Sequence, residues 1–353
     1  MNPAYQKIIA SSDEDRRGLF LTTANRIGTT VQNIEKDFWV CWTLDVLFHH
    51  LNSGGPRLLF KGGTSLSKAY GLIARFSEDI DVTIFRSDIG EGVDAQQLET
   101  LSKRKRAERL DSIKAACQAY IGGKLCTELS SFAIKTMEAA GKDPATLCIV
   151  LDDQDRDKQS LLVHYPTALE KSEYVMPSVK IESGAKSALD PHENMTIVPY
   201  LGPEIDEKAL SVTGVTTIEP ARTFLDKILI VHGMTFYFGA KGSLRGNGRM
   251  SRHYYDVHRL MEAPVGKKAC SDNTLIEDCV RHAKLFFYRS NTGMDEAKRG
   301  SFRLRPTEDM LGPLRKDYEA MATMIFGDVP SFESVLESVA RAEEALNTAS
   351  RPQ

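Results

Sequence analysis

Asp79 and Asp81 stand one residue apart in the stretch RFSEDIDVTIF (residues 75–85), shortly after the turn KGGTS (61–65). In a β-strand, successive side chains point to opposite faces, so Asp79, Asp81 and Thr83 share one face while Ile80, Val82 and Ile84 share the other. A second alternating stretch, YVMPSVKIESG (174–184), sets Ser178, Lys180 and Glu182 on one face, with Val179 and Ile181 opposite. Two carboxylates on one strand, with a third from a neighbouring strand, can hold divalent ions roughly 3.5–4 Å apart and clamp an in-line phosphoryl displacement. Mg²⁺ takes few carboxylates and completes its shell with phosphate oxygens, so a triphosphate has to lie close by. Gly62, Gly63, Thr64 and Ser65 supply backbone N–H groups at an expected helix N-terminus, where an anion is favoured and a Cβ would block close approach.

The elements that position these groups follow from periodicity. VQNIEKDFWVCWTLDVLFHHL (31–51) carries apolar residues at helical spacing (Ile34, Phe38, Cys41, Trp42, Leu47, Phe48) and predicts a buried helix ended by SGGP (53–56). RLLFKGG then reads as a short strand entering the turn, and TSLSKAYGLIA as a helix with Thr64 at its N-cap and Leu66, Ala69, Tyr70 and Ile73 on one face. Residues 86–148 are charged and helical in pattern. Within them KRKRAER (103–109) reads as a solvated helix face, with an RNA contact as the sharper alternative. DDQDRDK (152–158) imitates an EF-hand loop but lacks its turn glycine and its bidentate Glu. After residue 205 the pattern turns mostly helical, which predicts lobes of 1–205 and 206–353. A Gly-rich stretch, GAKGSLRGNGR (239–249), spaces Lys241, Arg245 and Arg249 four residues apart as candidate RNA contacts, with Arg252 just beyond.

The 353 residues fit two lobes at a prior of roughly 150 residues per domain. Six cysteines without a C-x-x-C pair read as reduced core thiols, neither a zinc site nor a disulfide scaffold. No segment has signal-peptide character or the length of a membrane span, so a cytoplasmic protein with no membrane contact is expected. The net charge of -3 argues against blanket nucleic-acid affinity while leaving room for a local basic groove.

The segments IEKDFWV (34–40), FKGGTSLSKAY (60–70), RFSEDIDV (75–82), VKIE (179–182), RHYYDVHRL (252–260) and KDYEAMATMIFGDVPSFESVLESV (316–339) together resemble the AbiEii/AbiGii nucleotidyltransferase toxin family, which includes the MenT-type toxins. The resemblance implies an α+β, bilobed protein with a polymerase-β-like nucleotidyltransferase mixed sheet and a mainly helical C-terminal lobe contributing to the active-site cleft. It further implies dependence on Mg²⁺ or Mn²⁺, transfer of a nucleotide from NTP to RNA such as the tRNA 3′ end, and a separately encoded antitoxin. By residue, it implies Lys61, Gly62, Gly63, Thr64, Ser65, Lys180 and Lys227 for the nucleotide, and Asp79, Asp81 and Glu182 for metal and catalysis. Asp256 is implied as a catalytic candidate. Lys227, flanked by Thr223, Phe224, Ile230 and Val231, either snorkels or reaches a phosphate. Asp256 either takes the proton of the incoming hydroxyl or pairs with Arg252 or Arg259 at helix spacing. Two other functions compete: nucleotidyl transfer to a protein hydroxyl, and a catalytically silent nucleotide- or RNA-binding module.

Overall fold

The computed structural model describes residues 2–77, 79–170, 177–244, 249–322 and 324–348. The chain forms two compact units. The first comprises Met1–Ala69, Phe76–Val93 and Ser102–Ile218; the second comprises Tyr70–Arg75, Asp94–Leu101 and everything from Glu219 onward.

The first unit is built on a mixed seven-stranded sheet, so the class is α+β. Its strands are β1 (Leu58–Lys61), β2 (Asp79–Ile84), β3 (Cys148–Leu151), β4 (Ser160–His164), β5 (Ser178–Gly184), β6 (His192–Ile197) and β7 (Val212–Ile218), in the order β3-β4-β5-β2-β1-β7-β6. β2 lies antiparallel to β1 and parallel to β5, and β1 lies parallel to β7. The apolar face of the central strands is closed off: Phe60, Ile80, Val82, Val179 and Ile181 are fully buried. The Val31–Asp45 helix packs against β2, β5 and β7.

Three expectations shift. The boundary lies at Ile218, beyond the expected residue 205, because β7 pairs with β1 and β6 and so belongs to the sheet. Its sequence hides this: Gly214, at φ +67°, interrupts the alternation that marks a strand. The helix after the turn spans Gly62–Lys68, starting before Thr64 and stopping well before Ile73; Gly71 follows in a left-handed conformation. Lys61 occupies the N-cap position with no side-chain bond, so Thr64 does not cap. The second unit is helical, with Pro220–Lys241, Ser251–Glu262, Asn273–Phe286 and Phe332–Asn347 among its longer helices. Lys241 therefore ends a helix and does not sit in the Gly-rich loop, which begins at Gly242.

The Val31–Asp45 helix continues as a π-helical turn, Val46–His50. It carries the expected apolar stripe, but Glu35, Asp37 and Asp45 are buried beside it. Each has partners. Glu35 accepts from the Thr167 hydroxyl and the Ala168 N–H, both at 2.6 Å. Asp37 lies 2.6 Å from Lys68 Nζ, accepts the Tyr200 N–H at 2.7 Å, and Lys68 Nζ sits 3.7 Å above the Tyr200 ring. Burial alone would lower the Lys68 ammonium pKa; Asp37 outweighs it and raises it. The pair ties the C-terminal end of the Gly62–Lys68 helix to the long helix behind the sheet.

Lys68→Met leaves the Asp37 carboxylate buried without its counter-charge and should destabilise the protein by about 3–5 kcal/mol, read as a lower urea midpoint. Adding Asp37→Asn, which keeps an acceptor for Tyr200, should recover a large part of that loss.

Candidate active site

β2 is flanked so that its acids meet charged residues on both sides. Lys61 of β1 is the register partner of Asp81, and on the other side Asp79 faces Lys180 and Asp81 faces Glu182 of β5. Of the side-chain contacts, one crosses from β1 to β2 and one runs along β5. Lys61 Nζ lies 3.8 Å from Asp81 Oδ1, and Lys180 Nζ lies 3.1 Å from Glu182 Oε1. Asp81 and Glu182 remain open to solvent, with side chains 27% and 46% exposed. For Lys180, burial lowers the pKa, but Glu182 and then Asp152 outweigh it and raise it. Among the described residues, no three His, Cys, Asp or Glu side chains are already gathered closely enough to hold a metal ion. As placed, Asp81 leans on Lys61 and Glu182 on Lys180.

The turn is fitted to the acids. Gly62 has φ +80°, and a Cβ built on it would fall 2.0 Å from Asp81 Oδ2, so the space that glycine leaves is filled by the carboxylate. Thr64 and Ser65 are fully buried. The Thr64 hydroxyl bonds to Ser77 Oγ at 2.9 Å and to the Asp79 carbonyl, and the Ser65 hydroxyl donates to the Gly62 carbonyl at 2.9 Å. The Thr64 hydroxyl thus holds the turn against the start of β2 and the Ser65 hydroxyl closes the turn on itself, so neither side chain is turned outward.

Asp152, which the sequence offered only as part of a failed calcium loop, lies beside this group. It is 9% exposed and its Oδ2 lies 3.1 Å from Lys180 Nζ. No periodicity signals this contact, since Asp152 follows the end of β3 in a tight turn.

In the second unit, Lys227 and Asp256 meet each other. Lys227 Nζ lies 2.7 Å from Asp256 Oδ2, and Arg75 makes a two-pronged contact with both carboxylate oxygens at 2.8 Å. Neither expected partner of Asp256, Arg252 or Arg259, is the one that binds it. Lys227 is 7% exposed and its ammonium is turned to a carboxylate, so it does not snorkel. Burial by itself would raise the Asp256 pKa; Arg75 and Lys227 outweigh it and hold the carboxyl well below its usual range. Burial lowers the Lys227 pKa, with Asp256 opposing. A fully buried carboxylate with both oxygens engaged by cations is an anchor, and in this state it is a poor proton acceptor. The exposed cations lie apart from it in the chain: Lys241 in the last turn of its helix, and Arg249, whose N–H donates to Asp317 at 2.5 Å. Arg252 is half-buried on the Ser251–Glu262 helix, and Arg245 lies outside the described residues. The KRKRAER stretch is helical and solvated, with Arg104 and Glu108 paired at 3.7 Å and Arg109 paired with Glu91.

The sequence profile of the family described as "Nucleotidyl transferase AbiEii toxin, Type IV TA system" matches residues 45–340. Among solved structures, the nucleotidyltransferase toxin MenT4 from Mycobacterium tuberculosis H37Rv is similar at 14% identity and a TM-score of 0.47, over 95% of this chain and 90% of that one. No curated protein matches.

Two substitutions check these placements. Gly62→Ala forces its Cβ into the Asp81 carboxylate at a backbone conformation that alanine resists, so the turn or Asp81 has to move; the variant should lose about 1–3 kcal/mol of stability, read as a lower urea midpoint. Asp256→Asn leaves two buried cations without their counter-charge and should cost about 3–5 kcal/mol near neutral pH. Because the folded-state pKa lies below the unfolded value of about 3.9, the stabilisation from this carboxylate is complete above that value and is lost as pH falls below it. The stability gap between wild type and Asp256→Asn, measured by urea titration, should therefore narrow in acid. A variant of wild-type stability with abolished activity would instead mark Asp256 as a base.

Proposed function

The chain belongs to the AbiEii nucleotidyltransferase toxin family of type IV toxin–antitoxin systems, and we propose that it transfers a nucleotidyl group from a nucleoside triphosphate to an RNA hydroxyl such as the tRNA 3′ end. The observation that carries this reading is the register of β2. It sets Asp81 between Lys61 and Glu182, one residue from the Gly62 turn that is shaped around the same carboxylate.

The donor set suits a hard divalent ion: Asp79, Asp81 and Glu182 offer only carboxylate oxygens, on partly exposed positions of one sheet face, with the Asp81 carboxylate filling the space that Gly62 leaves. Mg²⁺ or Mn²⁺ held by these residues supplies the positive charge that offsets the charge of the phosphate oxygens during in-line displacement. Around it, the chain's own groups bind and orient. Lys61, paired with Asp81, can turn to a triphosphate as it leaves that acid, and Lys180 adds positive charge from its place beside Asp152. Gly62 and Gly63 let the backbone approach the phosphates without a side chain between. In the transfer, the acceptor oxygen bonds to the α-phosphorus, the bond from that phosphorus to the pyrophosphate breaks, and pyrophosphate leaves. Asp256 is engaged by Arg75 and Lys227, so the proton of the acceptor hydroxyl is assigned to Glu182, whose carboxylate is partly exposed. Lys241, Arg249 and Arg252 are the described candidates for RNA backbone contact, and a separately encoded antitoxin is the expected partner of a toxin of this family. Among the described residues no helix is long and apolar enough to cross a membrane.

Incubation with labelled NTP and a lysate from the native host, followed by RNase or by protease, tests the acceptor. The label should be lost to RNase and survive protease; the reverse pattern assigns a protein hydroxyl. Asp81→Asn and Asp79→Asn should each abolish labelling while the melting temperature stays within a few degrees of wild type, and undiminished labelling would remove the assignment of these acids.

A further inference from the structure

The contact between Asp152, Lys180 and Glu182 adds a residue to the site that neither its motif nor its strand pattern contains. Lys180 Nζ is shared evenly, 3.1 Å from Asp152 Oδ2 and 3.1 Å from Glu182 Oε1. The two carboxylates differ in freedom. Asp152 is held: its N–H donates to the Ser160 carbonyl at 3.0 Å, its Oδ1 accepts the Gln154 N–H at 2.9 Å, and it is almost fully buried. Glu182 is held by no such turn, and its side chain is 46% exposed on the face it shares with Asp81. A buried, hydrogen-bonded carboxylate and an exposed one therefore compete for one ammonium.

From this we infer that Asp152 is a positioning residue for the metal site: it retains Lys180 as its own counter-ion, so that Glu182 can leave the lysine and turn to a divalent ion beside Asp81. Lys180 occupies in the resting site the charge position that the ion takes over, and Asp152 sets how readily it yields. Without Asp152 the ammonium is left to Glu182 alone, the ion pair tightens, and the divalent ion has to displace it. The inference rests on the proposed reading of Asp79, Asp81 and Glu182 as the metal acids.

The test is Mn²⁺ binding to the full chain without nucleotide, followed by electron paramagnetic resonance of free and bound ion. Asp152→Asn keeps the acceptor oxygen for Gln154 and so preserves the turn; it should weaken Mn²⁺ binding roughly tenfold, the scale of an outer partner of a metal ligand. Lys180→Gln should tighten binding. In the Lys180→Gln background, Asp152→Asn should lose most of its effect, falling to less than about threefold, because the residue it acts through is gone. An equal loss in both backgrounds shows that Asp152 acts by its charge alone and overturns the inference. So does weaker binding on Lys180→Gln. These outcomes are distinct from failure of the underlying reading, which would appear as wild type binding Mn²⁺ no better than Asp81→Asn, and which would remove the inference with it.

Discussion

The strand that carries the acids is fixed in register from both sides, and the rest of the first unit depends on that constraint. Side chains on a strand alternate with a period of two, so a slip of β2 by one residue would bury Asp79 and Asp81 and expose Ile80 and Val82. Antiparallel pairing with β1 along four residues and parallel pairing with β5 along five leave no such freedom. The turn reinforces it. With Asp81 where it stands only glycine fits at position 62, and the Thr64 hydroxyl reaches the Asp79 carbonyl, so turn and strand are fitted to each other.

Charge is handled differently in the two units. At the sheet face, carboxylates and lysines are partly hydrated, which keeps exchange of partners cheap. Inside the second unit, Asp256 is removed from water altogether and is stabilised by Arg75 and Lys227. An ion pair so buried is costly to break and ill suited to a step that requires a free carboxylate. The same contrast recurs between Asp152 and Glu182, one pinned by backbone and one not.

The placement of the acids on one strand face just after a turn is legible because it is written in local order: acid, apolar, acid on a strand, after two glycines. The buried helix at residues 31–45 was legible from its apolar stripe. What escaped was long-range or locally irregular. Asp37 lies in an apolar run, where a charge reads as the solvent side of a helix, and only its pairing with Lys68 explains its burial. Arg75 stands 181 residues from Asp256, so no spacing rule links them, and the nearby arginines of the same helix made better candidates on paper. β7 lost its strand signature to one glycine with a positive φ. Lys227 stands out in the sequence for its apolar setting, but that setting points to water or a phosphate and carries no signal of the distant Asp256.

The inward rotation of the Thr64 and Ser65 hydroxyls makes the turn chemically anonymous from outside. Main-chain N–H groups are the same for every residue type and carry no information about a ligand's base or sugar, so this segment can distinguish an anion from a neutral group but not one nucleotide from another. On the proposed function, discrimination among nucleotides is therefore written elsewhere in the chain. The preferred base could then diverge between relatives while the turn, the acid strand and the pairing that joins them stayed unchanged.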